Sequence, residues 1–288
     1  MTRSFRRRRS ALYLPASNAK ALAKVASLAC DATIFDLEDA VAPEAKAEAR
    51  ANLLAHFHVG AFGTGQERVI RANLSDGFVD SEDLALVLRS APHALLIPKV
   101  ETAEQLRHTR KALDAGGGHD IRLWAMIETP RAIVGLRDIV DGAARDNVGL
   151  DCLVAGTNDL SKETGVPLPL GRRTIEHWLA LIVIHAKAGG IDVLDGVYND
   201  FNDEAGFIQA CRDGALSGFD GKTLIHPRQI APANAAFAPS AEAIAEAQAI
   251  VQAFADPANS GKGVISIDGK MTELLHLEMA RRTLAKLN

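Results

Sequence analysis

The chain has 288 residues, of which 48% are hydrophobic and 24% charged, and its net charge is −4. That length fits one α/β barrel, and the composition is that of an ordinary globular protein, which excludes disordered and fibrous classes. The negative balance offers no general attraction to nucleic acid, and Cys30, Cys152 and Cys211 are scattered without metal-ligand spacing, so reduced thiols in a cytoplasmic protein are expected.

Arg3 and Arg6 to Arg9 precede the apolar Ala11 to Leu14. Pro15, Ser17, Asn18 and Lys20 interrupt that run too early for a signal-peptide core, and no run approaches transmembrane length. Residues 1–8 are therefore expected as a basic arm, solvated or touching an anionic ligand or a neighbouring subunit. Ala11 to Leu14 reads as a first strand. Lys20 to Ala29 places Ala21, Leu22, Val25, Leu28 and Ala29 on one helical face. Thr33 to Leu37 is a second strand ending in Glu38-Asp39, followed by a helix over Ala45 to Phe57. Arg68 to Ala72 is a third strand with Arg71 and Asn73 at its end, then a helix over Leu84 to Leu88. Ala94 to Ile97 is a fourth strand running into Pro98-Lys99, followed by a helix from Thr102 to Leu113. Ile121 to Ile127 and Cys152 to Ala155 are strands five and six, separated by a helix over Ala132 to Ala144. A helix over Thr174 to Ala188, a strand over Ile191 to Val197, a helix over Glu204 to Asp213 and a strand over Lys222 to Ile225 complete the series.

Eight strands alternating with helices imply a parallel sheet closed into a (β/α)8 TIM barrel over residues 9–235. A doubly wound open sheet is the competitor, but Pro15-Ala16-Ser17 is no glycine-rich phosphate fingerprint. Residues 236–288 fall outside the eightfold pattern. They are expected as a C-terminal helical extension of helix, glycine-rich loop and helix, covering its own or a neighbouring active site.

Glu38, Asp39, Arg71, Asn73, Lys99, Glu128, Asp159, Asp195 and His226 each follow the end of a strand, and those ends converge on the mouth of a barrel. Glu128 and Asp159 end buried strands, either as ligands of a hard cation or as caps of the next helices. Without a Cys/His cluster nearby, the cation they suit is Mg²⁺, with Mn²⁺ as the alternative. Arg71 suits a substrate carboxylate through its bidentate fork, or a rim ion pair with Glu38 or Asp39. The backbone N–H groups of Gly156, Thr157 and Asn158 suit a second carboxylate oxygen. His226 before proline reads as structural, and a Schiff base on Lys99 ranks below the metal site.

The ordered motifs Arg9-Ser10-Ala11-Leu12-Tyr13-Leu14-Pro15, Phe35-Asp36-Leu37-Glu38-Asp39-Ala40-Val41, Ile97-Pro98-Lys99-Val100-Glu101, Ile127-Glu128-Thr129, Gly156-Thr157-Asn158-Asp159-Leu160, Gly218-Phe219-Asp220-Gly221-Lys222 and Ile225-His226-Pro227-Arg228-Gln229-Ile230 point further. With Gly261-Lys262-Gly263-Val264 and Asp268-Gly269-Lys270-Met271, the chain resembles the citrate lyase β-subunit-like branch of the HpcH/HpaI aldolase family from about residue 9 onward. The resemblance implies a TIM barrel, a homotrimer or dimer of trimers, acting on CoA thioesters and 2-oxo acids. It implies Mg²⁺ on Glu128 and Asp159, the oxo-acid end on Arg71, Glu38 and Asp39 near the metal and its waters, and Arg9 to Lys20 near the CoA. Two positions depart from the pattern. Ala16 replaces a glycine, and Glu273 stands where the lyases carry an aspartate that acts as acid/base from the neighbouring subunit. The expected activity is Mg²⁺-dependent carbon–carbon cleavage of a carboxylated 3-hydroxyacyl-CoA (citryl, malyl or citramalyl) to acetyl-CoA and a 2-oxo acid. An aldolase on free hydroxy-oxo acids, an acyl-CoA hydrolase and a non-catalytic or acyl-carrier-dependent subunit are the alternatives.

Overall fold

The computed structural model describes residues 6–168 and 172–287. They fall into two compact units, one of Arg8–Ala236 and one of the residues from Phe237 onward together with Arg6 and Arg7.

The first unit is the expected barrel. Its strands are β1 (Ser10–Pro15), β2 (Ala32–Asp36), β3 (Glu67–Arg71), β4 (Ala94–Ile97), β5 (Arg122–Ile127), β6 (Leu150–Ala155), β7 (Asp192–Asp195) and β8 (Gly221–Leu224). All neighbours pair in parallel, and β8 closes on β1 with Ala11 opposite Thr223. Alternation along each strand decides what fills the barrel. Ala11, Ala32, Ile34, Val69, Ala94, Leu96, Trp124, Met126, Cys152, Val154 and Leu194 form its interior, with Tyr13 packed against them. The same parity carries Asp36, Arg71 and Glu128 inward at the C-terminal ends.

The opposite end is closed by Arg8, which is 2% exposed. This corrects the expectation that residue 8 ends a solvated arm. Its guanidinium donates to both oxygens of Glu67 at 2.7 and 2.8 Å, to Asp151 at 2.6 Å and to Asp192 at 2.6 Å, and lies 4.9 Å over the Trp124 ring. Three carboxylates from the N-terminal ends of β3, β6 and β7 thus share one cation inside the barrel. Gly221 permits this closure, because a Cβ there would stand 1.8 Å from the Arg8 carbonyl oxygen.

Two local readings change. The expected helix over Lys20 to Ala29 is a short helix, Ala19–Leu22, and a 3₁₀ turn, Val25–Ser27. A tight Lys24 N–H to Ala21 carbonyl bond at 3.1 Å ends the first turn early. In the second unit, the glycine-rich loop between the helices Ala241–Ala255 and Leu274–Ala285 contains a hairpin of β9 (Val264–Ile267) and β10 (Lys270–Glu273). Its turn residues Asp268 and Gly269 both have positive φ, 49° and 77°, the geometry that matches the twist of paired strands.

Candidate active site at the barrel mouth

A cavity of about 320 Å³ opens at the C-terminal ends of the strands, lined among others by Tyr13, Asp36, Asp39, Arg71, Met126, Glu128, Gly156, Thr157, Asn158 and Asp159. Asp36 and Arg71 are direct register partners on β2 and β3. Arg71 donates from Nε and Nη2 to the two Asp36 oxygens at 2.7 and 2.6 Å, and its guanidinium lies 4.9 Å over the Tyr13 ring. The expected bidentate grip of Arg71 on a substrate carboxylate is therefore corrected: that fork is already used on Asp36. Nη1 is the arm directed elsewhere, 2.7 Å from Glu38 Oε2 and 3.7 Å from the Met126 sulfur. The rim ion pair is made with Glu38.

Asp36 also shapes the turn after β2. Its carboxylate accepts from the N–H groups of Glu38 at 2.9 Å and Ala40 at 3.2 Å. The Lys46 ammonium clamps the same turn through the carbonyls of Leu37 and Glu38, both at 2.6 Å, and through Asn73 Oδ1 at 2.7 Å. Glu38 is held buried while Asp39 is exposed on the cavity wall. In the sequence Asp36 reads only as part of a strand; its inward parity with Ala32 and Ile34 is the signal that marks it.

Glu128 is fully buried. It does not cap the helix that follows: Thr129 Oγ1 accepts the Ala132 N–H at 3.1 Å, and Pro130 occupies the first turn of Pro130–Arg145. Oε1 of Glu128 accepts the Lys99 N–H at 2.7 Å, while Oε2 is buried without a hydrogen-bond partner. Burial, reinforced by the charges of Glu38 and Asp159 and opposed by Lys99, pushes this carboxyl up to about 7. Gly156 makes room for it, since a Cβ there would meet Glu128 Cβ at 2.3 Å and Oε2 at 2.6 Å. Asp159, half-exposed, sits in the first turn of the helix Thr157–Thr164, whose N-cap is Gly156.

An orphaned carboxylate oxygen in the same cavity as a second carboxylate, with no thiolate or imidazole in the lining, fits a hard divalent cation. Among the described residues there is no group of three or more His, Cys, Asp or Glu able to hold a metal. Glu128 and Asp159 line the same cavity, and a pair of carboxylates suits Mg²⁺ with several positions left to water or substrate oxygens.

The family model described as HpcH/HpaI aldolase/citrate lyase matches residues 9–227. The chain belongs to the HpcH/HpaI aldolase/citrate lyase family. It is 41% identical over 278 residues to a (3S)-malyl-CoA thioesterase of Cereibacter sphaeroides, covering 96% of this chain and 94% of that protein. It is 32% identical to the mitochondrial citramalyl-CoA lyase of Homo sapiens, covering 96% and 84%. The solved structure of CitE from Mycobacterium tuberculosis, in complex with magnesium, acetoacetate and coenzyme A, superposes with a TM-score of 0.72 at 26% identity, covering 97% of this chain and 98% of that one.

Within this family frame, one cavity brings together Asp39, Arg71, Glu128, Gly156, Thr157, Asn158 and Asp159, with Glu38 joined to it through Arg71. Asn158 exchanges side-chain amide bonds with Asn199, at 3.1 and 2.9 Å. Arg9 is not part of the group. It precedes β1, at the closed end of the barrel, and its guanidinium grips Asp31 at 2.8 Å through both Nε and Nη2. Lys20 is exposed on the short helix after β1. Asp195 does not line the cavity: odd parity turns it outward, where the buried Lys222 ammonium donates to it at 2.7 Å and Arg172 pairs with its other oxygen. His226 is structural, accepting the Arg228 N–H at 3.2 Å and stacking on Phe201 at 5.0 Å. Lys99 donates to Glu38 Oε1 at 2.6 Å. Burial opposes its charge, but Glu38, Glu128 and Asp39 outweigh that and hold the ammonium above its ordinary range, which disfavours a nucleophilic amine. Glu273 belongs to the second unit. It ends β10 and donates its N–H to His276 Nδ1 at 3.0 Å, at the start of the last helix.

Proposed function

We propose that this chain is a Mg²⁺-dependent enzyme acting on the CoA thioester of a 3-hydroxy dicarboxylic acid of the malyl type, and that it hydrolyses the thioester. The observation that carries the reading is the buried, half-satisfied Glu128 beside Asp159, in the same cavity as the Arg71 guanidinium. Mg²⁺ bound there supplies charge stabilisation to substrate oxygens as a Lewis acid. Arg71, locked by Asp36, presents Nη1 to a carboxylate that displaces Glu38. The N–H groups at the start of Thr157–Thr164 receive another carboxylate oxygen. Exposed Asp39 takes the proton of the attacking water on a carboxylate oxygen, and the CoA thiolate leaves. Two facts support hydrolysis over carbon–carbon cleavage: the 41% identity to a malyl-CoA thioesterase, and Glu273 in place of the lyase aspartate.

Carbon–carbon cleavage is the second reading, favoured by the likeness to a citramalyl-CoA lyase and by the carboxylate that Glu273 retains. In that reaction the 3-hydroxyl proton is lost, the bond between C2 and C3 breaks, and Glu273 from a neighbouring subunit protonates the acetyl-CoA enolate. A homotrimer or dimer of trimers in the cytoplasm belongs to the same proposal; among the described residues no helix is long and apolar enough to cross a membrane. Incubation with (3S)-malyl-CoA and Mg²⁺ separates the readings. Free thiol with malate supports hydrolysis, acetyl-CoA with glyoxylate supports cleavage, and neither product in the presence of Mg²⁺ refutes both.

A further inference from the structure

Lys99 follows Pro98 at the end of β4 and has φ +48°, a left-handed conformation that a residue with a side chain adopts only when its surroundings impose it. The kink takes its N–H off the strand ladder, which resumes with Val100 N–H on the Met126 carbonyl at 3.2 Å. That N–H donates to Glu128 Oε1 at 2.7 Å, and the ammonium of the same residue donates to Glu38 Oε1 at 2.6 Å. The other Glu38 oxygen lies 2.7 Å from Arg71 Nη1 as an ion pair, yet it makes no hydrogen bond of good geometry. Lys99 is therefore the firmer of the two restraints on Glu38, and it also sets which oxygen of Glu128 is left over.

We propose that Lys99 is a positioning residue that keeps Glu38 out of the cation site, so that Glu128 and Asp159 alone hold the metal and its other positions stay open to substrate. The inference rests on the metal reading given above. A third carboxylate would bind the cation more tightly and occupy a position that a substrate oxygen needs. The Lys99 side chain is 37% exposed, so shortening its reach opens no core cavity.

The test is a Mn²⁺ titration of the full-length protein and of Lys99→Met, Glu38→Gln, the double variant and Lys99→Arg, with turnover measured in parallel. Lys99→Met is expected to bind Mn²⁺ about 10-fold more tightly while kcat falls. Combining it with Glu38→Gln removes that gain, because the coupling runs through Glu38. Lys99→Arg returns both values toward the wild type. A gain that persists undiminished without Glu38 overturns the proposal, since it reports only the lost repulsion of the ammonium, and so does the absence of any gain. A wild type that binds no Mn²⁺, with Glu128→Gln indistinguishable from it, overturns the metal reading itself and this inference with it.

Discussion

Replacing Glu128 by glutamine separates the cost of the proposed metal site from its use. The amide keeps an oxygen for the Lys99 N–H, now 2.7 Å from Glu128 Oε1, and removes the buried charge. In the metal-free protein this carboxyl is raised from an ordinary 4.5 to about 7. At about 1.4 kcal/mol per pH unit, the gap corresponds to about 3 kcal/mol. The folded state keeps the proton to higher pH than the unfolded chain does. The destabilisation is therefore absent below about pH 4.5, grows between about 4.5 and 7, and is complete above about 7. Urea unfolding in EDTA is expected to show Glu128→Gln more stable than the wild type by up to about 3 kcal/mol at about pH 8, with the difference shrinking towards about pH 5. Mg²⁺ at about a hundred times its dissociation constant adds about 2.7 kcal/mol to the wild type, and the variant loses that gain. A difference independent of pH, or a full Mg²⁺ response in the variant, would refute the assignment of Glu128 as an uncompensated metal ligand.

Three further outcomes follow from the same geometry. Gly156→Ala drives a Cβ into Glu128 and is expected to cost about 1–3 kcal/mol and to abolish the Mg²⁺-induced rise in Tm, measured by thermal shift. Arg71→Lys keeps the charge but loses the fork on Asp36, so kcat/KM falls by about 100-fold or more while the Mg²⁺ thermal shift persists. Arg8→Ala removes the shared cation of Glu67, Asp151 and Asp192 at the closed end of the barrel; chemical unfolding is expected to show a loss of about 3–5 kcal/mol, with the Mn²⁺ affinity unchanged.

Much of this was legible because strand periodicity and strand-end polarity are local properties of the chain. All eight barrel strands lie where apolar runs predicted them, and Glu128, Asp159, Arg71 and Asp39 reach one cavity for that reason. Partners across strands were harder to read. The engagement of Arg71 with Asp36 depends on the register of β2 against β3, which sequence order does not supply. Arg8 looked like one more residue of a basic tail because its three acids come from positions 67, 151 and 192. Arg9 carried a substrate role by resemblance, yet its place before β1 puts it at the opposite end from the mouth, beside Asp31. The β9–β10 hairpin is hard to read for a different reason: Asp268-Gly269 announces a tight turn, but the flanking strands are only four residues each and largely exposed.

The contrast between Glu128 and Asp195 separates the proposed metal ligand from a structural acid, although both end a buried strand. Both are fully buried. Asp195 faces outward against Lys222 and Arg172; burial alone would raise it, but those two cations hold it below its ordinary range. Glu128 faces inward, where Arg71 is engaged by Asp36 and the Lys99 ammonium by Glu38. Among the described residues the mouth therefore has more negative than positive groups, and the surplus falls on Glu128 and Asp159. A protein built for stability alone would close such a gap with an internal cation, as this one does for Asp195. In the proposed reading, leaving it open destabilises the fold without a cation, and a divalent cation would restore the balance while keeping positions for the substrate.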